Sequence, residues 1–91
     1  MQIRMAPTAK KQLSRCPEYI IRKFEYWMDL LQSVGLRAAR RFKGFHDEPL
    51  HGNRKTQRSV RLSKAYRIIY REIDEQNCEI IEVLEVNKHD Y

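Results

Sequence analysis

Cysteine, glycine and proline are scarce in this sequence: two, three and three residues respectively out of 91. Cys16 and Cys78 stand far apart, in neither a C-x-x-C pair nor a zinc-ligand spacing. Two reduced, partly buried thiols in a reducing cytosol are therefore expected. The few glycines form no P-loop and no dinucleotide fingerprint, and there is no G-x-S-x-G elbow, so those chemistries lack their usual signatures. No apolar run approaches the roughly 20 residues of a membrane span, and no leader pattern opens the chain. A cytoplasmic protein with no membrane contact and no cofactor is expected. Repeats, low-complexity tracts and linkers are also missing. One domain over residues 1–91 is the natural reading, since a chain this short does not build two.

Charge of both signs is plentiful, at 33% of residues against 42% hydrophobic, which allows only a thin core. Eighteen Lys+Arg outnumber twelve Asp+Glu, a net charge of +6. The basic residues gather at 37–43 and 54–71, the acidic ones at 72–85 and 47–48. A small domain this basic commonly meets nucleic acid or an acidic protein partner. The plainer alternative is charge that merely keeps the chain in solution.

Gln2–Met5 reads as a short strand ended by Pro7, and Thr8–Arg15 as a brief helix anchored by Leu13 and stopped by Pro17. Pro17 can open the next helix. There Ile20, Ile21, Phe24, Trp27, Met28, Leu31 and Val34 form one apolar stripe at helical spacing. The stripe is expected to be core, with Gly35 as C-terminal cap. Leu36–Phe42 reads as another short helix exposing Arg37, Arg40 and Arg41, followed by a turn-rich loop.

From Gln57 to Glu72 the sequence QRSVRLSKAYRIIYRE reads as a hairpin turning about residues 63–65. With a period of two, Val60 and Leu62 share one face while Ser59 and Arg61 share the other. Likewise Tyr66, Ile68 and Tyr70 oppose Arg67, Ile69 and Arg71. A face carrying Arg61, Arg67 and Arg71 suits an array of phosphates. A turn at Asp74–Asn77 leads to a last strand, Glu79–His89. Leu84 and Val86 are expected on its buried face, with Glu85, Asn87 and His89 beside the arginines. The order β-α-α-(α)-β-β-β is that of an α+β domain with helices on one face of a small, mostly antiparallel sheet.

Lys88, His89, Asp90 and Tyr91 end the sequence. Beside Arg61 and Arg67 they contain what RNA cleavage by internal attack requires. A base takes the 2′-hydroxyl proton, cations stabilise the phosphorane, and an acid protonates the leaving 5′-oxygen. Histidine is the natural acid/base near neutral pH, and arginine the natural oxyanion clamp. The alternative is a frayed, solvated polar terminus. His46, Asp47, Glu48 and His51 match no zinc spacing, and Pro49 interrupts them. No metal is expected there; Glu48 reads as a cap or as the partner of a nearby arginine, and Pro49–Leu50 as a plug at the core's edge. Cys16 has no histidine in sequence range to activate it.

The run from Phe45 onward resembles the RelE/HigB family of bacterial toxins from type II toxin–antitoxin pairs. The likeness is carried by PLxG at Pro49–Gly52, SVRL at Ser59–Leu62, YRxxYR at Tyr66–Arg71 and a final strand with a basic/His/acidic tail. The PExII opening at Pro17–Ile21 also fits. The resemblance implies a RelE-like fold and an mRNA interferase, an endoribonuclease that enters the ribosomal A site. Members hold mRNA and ribosomal RNA on a basic concave sheet face and cut the codon there. By position, Arg61 matches a basic catalytic-strand residue, and Arg67 the arginine after the aromatic of the YR pair. His89 stands where the RelE branch has a tail arginine. His89, Asp90 and Tyr91 resemble the HigB tail in another order. Ser59 replaces a RelE-branch lysine, whose contribution is missing or moved to Lys55 or Arg58.

The roles implied are His89 as acid/base, Asp90 orienting it, and Tyr91 stacking on a base or aiding proton transfer. Arg61 and Arg67 would bind the phosphate; Lys55, Arg58, Arg71, Lys88, Arg40 and Arg41 would bind RNA. The resemblance also implies a cognate antitoxin, usually of helix-turn-helix type, with an acidic segment that the basic face attracts. Promoter DNA would be reached only through that complex. Three rival readings share the fold. A ParE-like toxin would poison DNA gyrase and not cut RNA, although that branch typically lacks a clustered His/acid tail. A non-catalytic RNA- or ribosome-binding module needs only the charge. A degenerate toxin would keep antitoxin binding alone.

Overall fold

A computed structural model describes residues 1–75 and 78–88 of the chain. Strand β1 (Gln2–Met5) leads into helix α1 (Pro7–Ser14), whose proline sits in the first turn, where a missing N–H leaves no bond unmade. Helix α2 (Glu18–Arg40) follows Pro17 and buries Ile20, Phe24, Trp27 and Leu31 along one stripe. Val34, expected in that stripe, is 44% exposed at the last turn before a break. The break is Gly35, with φ 82° and ψ 167°, a region essentially closed to residues with a Cβ. The expected cap and the following short helix are therefore one kinked element. Beyond the kink Leu36 and Ala39 are buried, and Arg40 is turned toward the sheet, not out to solvent as expected.

Single 3-10 turns at Lys43–Phe45 and Gly52–Arg54 flank β2 (Glu48–Pro49), a two-residue strand in the stretch expected as loop. β2 pairs with β3 (Gln57–Arg61), Glu48 opposite Ser59 and Pro49 opposite Arg58. Pro49 offers no N–H, which keeps this edge short. β4 (Tyr66–Glu75) and β5 (Cys78–Lys88) complete a sheet of order β1-β5-β4-β3-β2. β1 runs parallel to β5, and every other pair is antiparallel. Asp74 and Glu75, expected in a turn, belong to β4 opposite Glu79 and Cys78. Backbone pairing does not depend on side-chain polarity, so the ladder runs on through them. Residues 76 and 77, the rest of that expected turn, lie outside the described residues.

The register fixes the faces. Val60, Ile68 and Val86 stand side by side toward the helices, and Arg61 lies directly across from Arg67 on the other face. β5 carries an extra residue: Ile69 pairs with Glu85 and Tyr70 with Val83, leaving Leu84 without a partner. This bulge resets the alternation. Val83 and Ile81 join Val86 in the core, whereas Leu84, expected there, is half-buried outside it. Burial at 25 cal/mol per Å² or so makes this two-layer core the main source of stability. Cys16 is half-buried, donates its thiol to the Gln12 carbonyl at 3.3 Å, and has its pKa pushed up by burial. The side chain of Cys78 is not among those described. No described helix is long and apolar enough to cross a membrane.

A Cβ added at Gly35 or at Gly44 would meet no atom within 4 Å, so neither would clash, and of the two only Gly35 has a positive φ. Gly35→Ala is expected to lower the unfolding free energy by about 1–3 kcal/mol. Gly44→Ala should change it by less than about 0.5 kcal/mol. Urea midpoints at constant m-value check both.

Candidate functional site

On the sheet face away from the helices, β3 and β4 present Arg61 and Arg67 as a cross-strand pair. Like charges so placed repel, a cost that a bound anion would remove. The turn joining the strands is held by Ser63, whose Oγ accepts the N–H groups of Ala65 and Tyr66 at 3.1 and 3.2 Å. Lys64 is thereby exposed at the tip. Across from this turn, β2 sets Glu48 beside Ser59. His46, Glu48, Ser59, Arg61, Ser63, Lys64, Tyr66 and Arg67 line one cleft of about 170 Å³.

Two local features mark the cleft. His46 has φ 43° and ψ 53°, and it is the single non-glycine among the described residues with a positive φ. Such conformations gather where surrounding structure enforces them, often at functional sites. Arg67 Nε is buried and has no hydrogen-bond partner among the described residues. A buried unsatisfied N–H is rare and calls for a partner, and an anion in the cleft would be one.

Elsewhere on this face the arginines are neutralised. Arg71 Nε donates to Glu82 at 2.8 Å, and Arg54 pairs with Glu85. The Glu85 carboxyl is held below its usual range chiefly by a hydrogen bond from Asn87, with Arg54 and the Arg67 charge adding to it against the opposing effect of burial. Around the cleft, positive charge without a described acidic partner is thus found at Arg61, Arg67 and Lys64.

Other expected RNA-binding residues are engaged on the helix side. Arg58 Nε donates to Asp47 Oδ1 at 2.6 Å, and the Tyr70 hydroxyl donates to Asp47 Oδ2 at 2.6 Å. The Asp47 side chain is only 3% exposed, so Asp47, not Glu48, is the arginine's partner. Arg40 Nε donates to the Tyr70 hydroxyl oxygen at 3.3 Å, with Glu72 3.2 Å from its guanidinium. Arg41 and Lys55 are exposed, as is Lys88 opposite Tyr66. His89, Asp90 and Tyr91 lie outside the described residues. Sequence reasoning brought Arg61 and Arg67 together correctly and passed over His46 and Glu48 as cleft residues. The available signal was the alternation of Phe45 and Asp47 with His46 and Glu48, too short to read as a strand.

Burial foremost, then the Asp47 carboxylate, pushes the Tyr70 hydroxyl pKa well up against the pull of Arg40. A folded pKa above the unfolded value of about 10 gives stability that is complete below that pH and lost as pH rises beyond it. As pH rises from about 10 to 11.5 the wild type should therefore lose stability relative to Tyr70→Phe, with a slope that climbs from about 0.7 toward about 1.4 kcal/mol per pH unit. Denaturant midpoints across that range measure the difference.

A family profile described as ParE toxin of the type II toxin–antitoxin system, parDE, matches residues 3–90. No individual curated protein sequence matches. Among solved structures the chain is similar to the YoeB/ParE toxin from Agrobacterium tumefaciens, with TM-score 0.71 and 21% identity over 99% of this chain and 100% of that one. It is similar to the E. coli DinJ-YafQ toxin-antitoxin complex, with TM-score 0.70 and 21% identity over 97% and 91%. The archaeal RelE-RelB complex from Pyrococcus horikoshii OT3 matches with TM-score 0.69 and 22% identity over 96% and 92%. At such identities the structures show a shared fold, two helices on a five-stranded mixed sheet as in RelE-like toxins. With the profile covering nearly its whole length, the chain belongs to the ParE toxin family of type II toxin–antitoxin systems, within the RelE/ParE superfamily.

Proposed function

We propose that this toxin is a ribosome-dependent mRNA endonuclease that cuts by attack of a 2′-hydroxyl on the adjacent phosphate. The observation that carries the reading is the buried Nε of Arg67, without a hydrogen-bond partner among the described residues, beside Arg61 in a cleft that also holds His46 and Glu48. Arg61 and Arg67 would take the non-bridging oxygens, whose negative charge grows as the phosphorane forms. Fixed donors aimed at that charge act where it develops. Glu48 or His46 removes the 2′-hydroxyl proton. The 2′-oxygen–phosphorus bond forms as the bond to the 5′-oxygen breaks, and a protonated acid supplies the leaving oxygen with its proton. The products are a 2′,3′-cyclic phosphate and a 5′-hydroxyl.

His89 is proposed as that acid, with Asp90 orienting it and Tyr91 stacking on a base. They follow Lys88, one residue past Asn87, which lies directly opposite Arg67. Exposed Lys55, Lys64, Arg41 and Lys88 would hold flanking phosphates in mRNA and ribosomal RNA. Arg40, Arg58 and Arg71 are committed to internal partners and would contribute less. A cognate antitoxin is part of the proposal, because similar chains are solved in a toxin-antitoxin complex and in a RelE-RelB complex. An acidic segment of that partner would occupy the Arg61–Arg67 cleft, and a helix-turn-helix in it would carry any promoter binding. A second reading, inhibition of DNA gyrase, is favoured by the ParE description of the matching family profile.

Cell-free translation of a defined mRNA, followed by primer extension, separates the two. Cuts are expected only on translating ribosomes, with Arg67→Ala slowing them by about 10²–10³-fold. Glu48→Ala and His89→Ala should each slow them by about 10²–10⁴-fold if they move protons. Full cutting by His89→Ala would remove the acid assignment alone. An absence of cuts with inhibited supercoiling in a parallel gyrase reaction would establish the second reading.

A further inference from the structure

The segment from Phe45 to Glu48 alternates between interior and cleft. Phe45 is buried, its ring stacked 6.0 Å from Tyr26, with Lys23 Nζ 5.1 Å from the Phe45 centroid. His46 lines the cleft. Asp47 turns back inside to Arg58 and Tyr70, and Glu48 returns to the cleft opposite Ser59. The sheet holds the backbone here through only two residues, one of them proline, beside 3-10 bonds at the Phe45 and His46 amides and a bond from Arg58 to the Asp47 carbonyl. The side chains that point inward must therefore set the direction of those that point outward.

We propose that Asp47 is a positioning residue, which fixes the angle at which His46 and Glu48 face Arg61 and Arg67. Arg58 and Tyr70 are cross-strand neighbours on β3 and β4, and Arg61 and Arg67 are cross-strand neighbours further along the same two strands. One carboxylate bonded to the first pair registers the loop against the ladder that carries the second. Arg40, donating to Tyr70, brings the end of α2 into the same frame. A buried ion pair of this kind is a poor source of stability, but here it joins the loop to two strands at once. The effect on rate rests on the RNA-cleavage reading above; the effect on the loop does not.

The test compares the full chain with Asp47→Ala and Asp47→Asn by two readouts. One is ¹⁵N relaxation of the amides of residues 45–48; the other is single-turnover cleavage of ribosome-bound mRNA at saturating toxin. Asp47→Ala is expected to mobilise the His46 and Glu48 amides while β4 stays rigid. It should lower the cleavage rate constant by about 100-fold, as misplacement of reacting groups does, with ribosome affinity unchanged. Asp47→Asn, which still accepts from Tyr70, should recover much of both. A folded Asp47→Ala with a rigid 46–48 segment, or with the wild-type rate, overturns the proposal. A wild type that cuts nothing, but whose loop loosens in Asp47→Ala, sinks the cleavage reading and supports the positioning role. Should Asp47→Ala fail to fold, Asp47→Asn and Tyr70→Phe give the same comparison.

Discussion

The carboxylate of Asp47 is the point on which the two halves of this structure meet. A charge so nearly sealed from water costs several kcal/mol unless its oxygens are matched by donors, and here each oxygen has one, Arg58 Nε and the Tyr70 hydroxyl. The Tyr70 ring in turn packs 5.5 Å from Trp27, the largest side chain of the core. Polar link and apolar core thus share a residue. The loop is tied through Tyr70 to the helix α2 stripe, and through Arg58 to the strand that carries Arg61. Removing either donor leaves a buried anion with an unmet lone pair, a more severe defect than losing an ordinary surface contact.

Local neutralisation gives the cleft its character more than net charge does. Acidic residues on β5 are spaced so that Glu82 meets Arg71 and Glu85 meets Arg54. No such acid is engaged with Arg61 or Arg67 among the described ion pairs. On the open face the positive charge that these acids leave uncompensated lies at Arg61 and Arg67, where the cleft is. Among the described residues, the cleft also carries the one non-glycine with a positive φ, His46, and one of two buried guanidinium nitrogens without a hydrogen-bond partner, Arg67 Nε.

Alternation along β3 and β4 was readable from sequence through Val60, Ile68 and Tyr70 on one face and Arg61, Arg67 and Arg71 on the other, although Arg58 shares the first face and buried Ile69 the second. β5 was less readable. Ile80, Ile81, Val83, Leu84 and Val86 are apolar on both parities, so composition could not reveal where the bulge falls. Gly35 announced a break and Leu36–Phe42 a further helix, but not that the helices on either side join as one kinked element. The partners of Arg40 and Arg58 were hidden because they come from residues distant in sequence, Tyr70 and Asp47, and depend on how the layers dock. The PLxG, SVRL and YRxxYR motifs pointed to the right superfamily because they fix turn and strand geometry, which its members share. They say less about chemistry, which lives in single side chains.

The unpaired Leu84 gives β5 a degree of freedom that its neighbours lack. If it is taken away, Val83 toward the core, Glu85 toward the open face and Val86 toward the core still follow one another in regular alternation. At any other paired position in the strand, gaining or losing one residue would turn every side chain beyond it to the wrong face. Changes in length along this strand are thereby channelled to a single site. Glu82 and Glu85, on either side of it, keep their places opposite Arg71 and Ile69 whichever length the strand adopts.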